Sequence, residues 1–201
     1  PVMDGEPCYE DHPVRSDKTK TQWFGEWDVR KLCYWDLFAG AHGHTYGCHP
    51  IWQFWDGRSK PGADPRHSWM EALALPGASQ VGYARRLMES RPFLTRIPDQ
   101  ALIVSENPEG PEHVQATRDS EGSFAMVYSA AGNPFTLDLS KLPPKKLKSW
   151  WFDPRTGEAK ESGEIPNDGR HEFIPPTHGD GCDWVLVLDD ADRKFPPPAA
   201  Q

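Results

Sequence analysis

Cysteine is scarce: the 201 residues hold four, at Cys8, Cys33, Cys48 and Cys182, and no two form a CxxC pair. They are too few and too scattered for a disulfide scaffold, and buried free thiols are the expected state. Positive charge is in deficit as well, with 22 Lys and Arg against 30 Asp and Glu and a formal net charge of −8. A protein that tracks phosphates needs a basic face, so the expected partners include no nucleic acid and no membrane. No apolar run approaches the roughly 20 residues of a membrane-spanning helix. No secretory leader is expected within these residues, any such segment being expected upstream of Pro1, and no internal repeat divides them. Because the first residue is Pro1 and not Met, the chain is expected to be a portion of a longer protein.

What is present supports a packed chain. Hydrophobic residues make up 37% and aromatics 11%, with nine tryptophans, well away from a disordered composition. Trp and Tyr at this density on a polar sequence suit surfaces that stack on flat ligands such as sugar rings. The length allows one large domain or two small ones.

The texture changes near residue 97. Before it, Asp28 can cap a helix with Val29, Leu32, Cys33 and Leu37 on one face, ended by the glycines of "AGAHGHTYG". "TYGCHPIWQFW" then predicts a buried strand over 45–54, bulged or restarted at Ile51 because of Pro50. The polar loop "DGRSKPGADPRHS" leads to helical stretches over 68–75 and 78–90, the second with Val81, Ala84, Leu87 and Met88 on its apolar face. Strand, long loop and helix form the rhythm of an α/β unit. After Arg96 the pattern turns all-β. "ALIV", "EHVQATRD", "SFAMVYSA", "PFTLDLS", "KLKSWWFD", "HEFIPP" and "DWVLVLDD" are short strand candidates, separated by turns such as "DPRTGE". Strands of this number and length point to a small antiparallel β-sandwich.

The expected fold class is therefore α/β plus all-β. Residues 1–97 would supply the last two units of a (β/α)₈ barrel, 98–191 a β-sandwich and 192–201 a Pro-rich tail. In such a barrel the active site lies on loops after the C-terminal ends of the strands. Glu6 follows the first of these strands, and His42, His44 and Tyr46 approach the second.

Several segments, in one order and over nearly the whole chain, carry a family resemblance. "PVMDGEPCYED", "YWDLFAGAHGHTYGCHPIWQF", "LPGASQVGYARRLMESRPF", "ATRD", "FAMVYSAAGNPFTLDLS", "WWFDPRTGE" and "DWVLVLDD" together resemble the apiosidase-like glycoside hydrolases. Those enzymes carry a catalytic (β/α)₈ barrel followed by a small β domain labelled collagen-binding. The resemblance implies a secreted or periplasmic enzyme that cleaves glycosidic bonds in complex polysaccharides. It also implies that the missing N-terminal part of the same barrel, with a second catalytic carboxylate, precedes Pro1.

Glycoside hydrolysis ordinarily uses two carboxyl groups, one a proton donor and the other a nucleophile or water activator. Glu6 is the expected catalytic carboxylate, since the resemblance places a functional Glu in "GEPCYE" and Pro7 stiffens the chain beyond it. Glu10 is its rival in the same motif. Asp4 could raise the Glu6 pKa by like-charge proximity or contact substrate directly. Glu6 and Glu10 on one turn make a poor acid–base pair, so the partner is expected outside the chain, which alone should be inactive. Substrate contacts are expected from Asp4, Tyr9, Glu10, His42, His44, Tyr46, Asp56 and Arg58, the last two on the loop after the second strand.

His42, His44, Cys48, His49, Cys8 and His12 are the right residue types for zinc, but their spacings match no standard site. No metal and no cofactor is expected, and His-x-His can instead bond sugar hydroxyls. Tyr46, Trp52 and Trp55 could form a stacking platform, with Tyr9 and Tyr46 favoured for their place beside loops. Of the adjacent Trp150 and Trp151, one is expected in the core and the other at the barrel interface. The competing class is a non-catalytic module, in which the β half binds glycan or protein through Trp150 or Trp151 and the first half docks.

Overall fold

The computed structural model describes residues 1–14, 19 and 21–199. The first half holds two short strands and four helices: β1 (Met3–Asp4), α1 (Glu26–Phe38), β2 (Gly43–His44), α2 (His49–Trp52), α3 (Trp69–Ala72) and α4 (Gly77–Glu89). The second half is strand-rich: β3 (Arg96–Pro98), β4 (Val114–Asp119), β5 (Phe124–Ser129), β6 (Phe135–Asp138), β7 (Lys146–Asp153), β8 (Glu158–Pro166), β9 (Arg170–Phe173) and β10 (Trp184–Asp190). The whole is a mixed helix and sheet chain dominated by antiparallel pairing. Among the described residues no helix is long and apolar enough to cross a membrane.

β1 and β2 pair in parallel, Met3 with Gly43 and Asp4 with His44, and α1 is the crossover between them. The carboxylate of Asp28 accepts the Gly25 N–H at 3.0 Å, one of the donors a helix start leaves unpaired. Of the four residues on the expected face, Val29, Cys33 and Leu37 are buried and Leu32 is only half-buried, and Arg30, Tyr34 and Phe38 are buried beside them. The strand expected over 45–54 is not formed. β2 ends at His44, and Cys48 caps α2, whose second residue is Pro50. Proline is tolerated in a first helical turn because its missing N–H has no intrahelical partner to lose, so the residue that was awkward for a strand suits this helix.

The large sheet has strand order β3-β4-β5-β10-β7-β8. Its centre is buried on both faces, so β5 reads as an unbroken apolar run. Phe124, Met126 and Tyr128 face α1 and α4, with Val185, Val187, Trp150 and Phe152 beside them and Tyr34, Phe38, Leu87 and Met88 opposite. Ala125, Val127, Leu186 and Leu188 face the other way, onto Phe135, Leu137 and Phe173. Each large apolar side chain so enclosed contributes about 1.5–3 kcal/mol. The second layer is narrower than a full sandwich sheet: a two-stranded ribbon, β6 with β9.

Other expectations need correction. Residues 101–104 form no strand; Gln100–Leu102 is a 3₁₀ turn, and Ile103 makes an isolated bridge to Leu137. β3 and the long β8 carry no apolar alternation and escaped the pattern. The two places expected for the adjacent tryptophans, core and helix interface, are both taken by Trp150, while Trp151 packs on the far face against Phe135 and Trp184. The Pro-rich tail folds back, the Phe195 ring lying 4.9 Å from the Arg91 guanidinium and Ala199 entering the core, while 200 and 201 lie outside the described residues. All four thiols are free, but only Cys33 and Cys48 are buried.

Candidate functional site

The loop after β1 turns at once. The Glu6 N–H donates to the Asp4 carboxylate at 3.1 Å, and the Glu6 side chain stays exposed. Pro7, Cys8 and Tyr9 continue along the wall of an open cleft of about 640 Å³, faced by His12, Phe24, His49 and Trp52. Glu6 is the one carboxylate among the described residues lining it.

The opposite wall is an aromatic shelf. The His12 ring meets His49 edge-on at 4.4 Å, and His49 lies nearly parallel to Trp52 at 6.1 Å and 13°. His49 and Trp52 are three residues apart on α2, so a helical spacing puts their rings on one side. His12 Nδ1 donates to the Pro13 carbonyl at 2.6 Å and His49 Nε2 to Gly62 at 2.9 Å, which fixes both rings. Burial lowers the His49 pKa, favouring the neutral imidazole. Trp52 remains 68% exposed, a flat face open to solvent. Burial first, with Asp28 nearby, pushes the Cys8 thiol up to about 12, so it presents no thiolate to a metal or substrate at neutral pH.

Of the residues expected from the sequence, the cleft brings together Glu6 and Tyr9. Glu10 is only 2% exposed and turns inward, where its carboxylate accepts from Tyr46 Oη at 2.5 Å and from the Gly77 N–H at 3.3 Å. Buried between these donors, Glu10 does not line the cleft, and neither does Tyr46, whose hydroxyl it holds. His42 hydrogen-bonds the Val2 carbonyl through Nδ1 at 2.6 Å. His44 is buried against Asp36, with Nδ1 to carboxylate at 2.7 Å. Both histidines line a second cavity of about 400 Å³, between α1 and α4. Asp56 closes its own exposed turn, accepting from the Arg58 N–H at 2.9 Å, and neither residue lines the cleft.

Among the described residues one group could offer three metal ligands, Asp4, Asp36 and His44. It includes only one of the six His and Cys residues considered for zinc. The hydrogen bonds just given already occupy a carboxylate oxygen of Asp4 and one of Asp36. Of the other cleft residues, Trp52 is one of the rings expected in a stacking platform and Cys8, His12 and His49 are among those weighed for zinc, while no role is expected of Val14 and Phe24. Reading 45–54 as a strand hid that the His49 and Trp52 rings lie on one side; the His-x-x-Trp spacing beside Pro50 was the available signal.

An exposed carboxylate beside a ring-stacking shelf can exchange a proton with, or attack, a ligand held on that shelf. Comparison with known proteins bears on the same chemistry. Residues 1–95 match the family model "Apiosidase-like, catalytic domain", and residues 97–189 match "Putative collagen-binding domain of a collagenase". A solved structure titled "Glycoside hydrolase" superposes with a TM-score of 0.91 at 34% identity over 98% of this chain. A glycoside hydrolase family 5 protein from Bacteroides vulgatus ATCC 8482 superposes with a TM-score of 0.90, again at 34% identity, over 100% of the chain. The chain spans 44% of the length of each. No curated protein matches it. With both of its halves matched in order and two such neighbours, the chain belongs to the apiosidase-like glycoside hydrolases.

Proposed function

We propose that this chain is the C-terminal portion of a glycoside hydrolase that cleaves glycosidic bonds in complex polysaccharides. Glu6 is one of its two catalytic carboxyl groups. The observation that carries this reading is the exposed Glu6, the one carboxylate among the described residues lining a cleft of about 640 Å³ that Trp52 also lines. The second carboxylate comes from barrel strands that precede Pro1, and β1 and β2 are the last two strands of that barrel. Support comes from the parallel β1–β2 pair, whose Met3 and the preceding Val2 are 52% and 73% exposed. Parallel strands ordinarily have both faces covered and neighbours on both sides. A secreted or periplasmic enzyme follows, since polysaccharides of this class lie outside the cell.

The β half serves as a buttress to the catalytic part. The large sheet has α1 and α4 on one face and the β6–β9 ribbon on the other, and Trp150 is 5% exposed. A binding module working through Trp150 has no free face there.

The test is release of reducing ends by the full-length enzyme from a panel of plant and microbial polysaccharides. Hydrolysis of none of them, with retained binding to one, would reverse the assignment in favour of a module. Within the active enzyme, Trp52→Ala is expected to raise KM about tenfold, or ~1.4 kcal/mol, with kcat changed less. Initial rates over a substrate series check this, and an unchanged KM would remove Trp52 from the shelf.

A further inference from the structure

We infer that Glu10 is a positioning residue, a carboxylate enclosed in the fold to hold the two walls of the cleft in register. The inference rests on the hydrolase reading for its effect on turnover, and on geometry alone for its effect on the loops.

Four hydrogen bonds converge on this one residue from two other segments. Its N–H donates to the Gly47 carbonyl at 2.9 Å, and its own carbonyl accepts from the His49 N–H at 2.8 Å. Its carboxylate accepts from Tyr46 and from Gly77, the first residue of α4. One wall of the cleft is the stretch from Glu6 to Tyr9; the α2 part of the other begins at His49. Glu10 therefore ties the end of the first wall to the start of the second. The opposite end of the Glu6 loop is held by the pairing of Asp4 with His44. Between these two anchors only five residues span the loop, and Pro7 is one of them.

The neighbours are fitted to this junction. A Cβ on Gly77 would overlap the Glu10 carboxylate, and one on Gly47 would overlap the Tyr9 ring. Asp11 extends the junction to the long loop. Fully buried at a φ of 62°, it accepts from the Arg66 and His67 N–H groups at 2.9 and 3.0 Å and from Arg66 Nε at 2.6 Å. An apolar side chain would fill the Glu10 site at less desolvation cost; what a carboxylate adds is direction, because its acceptors fix where Tyr46 and Gly77 stand. Burial pushes the Glu10 carboxyl up from its ordinary value, while the bonds from Tyr46 and Gly77 hold it down.

Glu10→Gln and Tyr46→Phe in the full-length enzyme test the role. Gln keeps the shape but offers an amide where two donors converge; Phe deletes one hydroxyl. Both variants are expected to lower kcat about 10–100-fold on the polysaccharide that the parent degrades, since misplacement of about 1 Å costs that order of rate. KM should move less than about threefold. The double variant should lose no more than the worse single one, because both remove the same bond. Amide hydrogen exchange in 5–9 and 45–49 should rise about tenfold, with 124–129 in the sheet unchanged as the internal reference. A merely structural role would lower the melting temperature and leave kcat of the folded protein within about twofold, which would overturn the inference. So would unchanged exchange in both loops of Tyr46→Phe, the variant that decides if Glu10→Gln does not fold. If the parent hydrolyses nothing, the hydrolase reading falls, and the exchange rates alone decide whether Glu10 holds the walls.

Discussion

Replacing Asp183 by alanine is expected to destabilise the fold by about 3–5 kcal/mol, the range for stranding one partner of a buried ion pair. Asp183 is 0% and Arg30 1% exposed. The pair is two-pronged, Arg30 Nε to one carboxylate oxygen at 2.8 Å and Nη2 to the other at 2.5 Å. Gln80 on α4 accepts from Nη1 at 2.5 Å, and Tyr128 on β5 donates to Asp183 at 3.0 Å. Without Asp183 the guanidinium stays in the core with one amide oxygen for company. The double replacement Arg30→Met with Asp183→Leu removes both charges and leaves only the neutral Tyr128 hydroxyl and Gln80 amide without those partners, so it should unfold at a higher urea concentration than Asp183→Ala. A loss below about 1 kcal/mol, or a double variant weaker than the single, would contradict this account.

The consequence reaches beyond one pair. Arg30 lies in the part matched by the catalytic-domain model and Asp183 in the part matched by the β-domain model. Arg91 and Asp189 repeat the arrangement, with two bonds of 2.7 Å and Trp150 Nε1 donating to the same carboxylate at 3.0 Å. Buried charge pairs tolerate little separation, so the two parts should unfold together. One coincident transition by tryptophan fluorescence and far-UV circular dichroism is the expected result. Two resolved transitions would mean that the shared core does not couple them.

Much of this fold was legible because its signals were local. "KLKSWWFD" and "DWVLVLDD" have the composition of buried strands and form β7 and β10. The spacing of Ala84, Leu87 and Met88 gave the buried face of α4. β8 was not legible, because "EAKESGEIP" is a charged edge strand whose place is set by β7 and by cross-strand pairs such as Lys148 with Glu161 at 2.9 Å. Charge on an edge strand discourages further pairing and hides the strand from any apolar pattern. At the site the division is the same. Glu6 and Tyr9 share the five-residue stretch between Asp4 and Glu10 and could be found from sequence order, whereas the burial of Glu10 depends on Tyr46 and Gly77, 36 and 67 residues away. Short apolar runs do not distinguish strand from helix, and at 45–54 that ambiguity hid the pairing of the His49 and Trp52 rings.

Glu6→Gln in the full-length enzyme is expected to lower kcat on polysaccharide by about 10²–10⁴-fold, the usual contribution of a positioned acid–base group. Gln occupies the same volume at an exposed position, so stability should hardly change and KM should stay near the parent value. The size of the loss on different leaving groups then assigns the role. An aryl glycoside with an acidic phenol departs without protonation; if Glu6 is the proton donor, that substrate should lose far less in the bond-cleaving step than polysaccharide does. If Glu6 is the nucleophile, both substrates lose alike, because no glycosyl-enzyme can form. Turnover equal to the parent on both would place the bond-breaking chemistry elsewhere. The role also sets where the partner is to be sought. Two carboxyl groups about 5–5.5 Å apart retain configuration, and about 6.5–9.5 Å apart they leave room for a water and invert it. Since Glu6 is alone in its cleft among the described residues, that distance is to be measured from Glu6 to a carboxylate carried by the barrel strands proposed to precede Pro1.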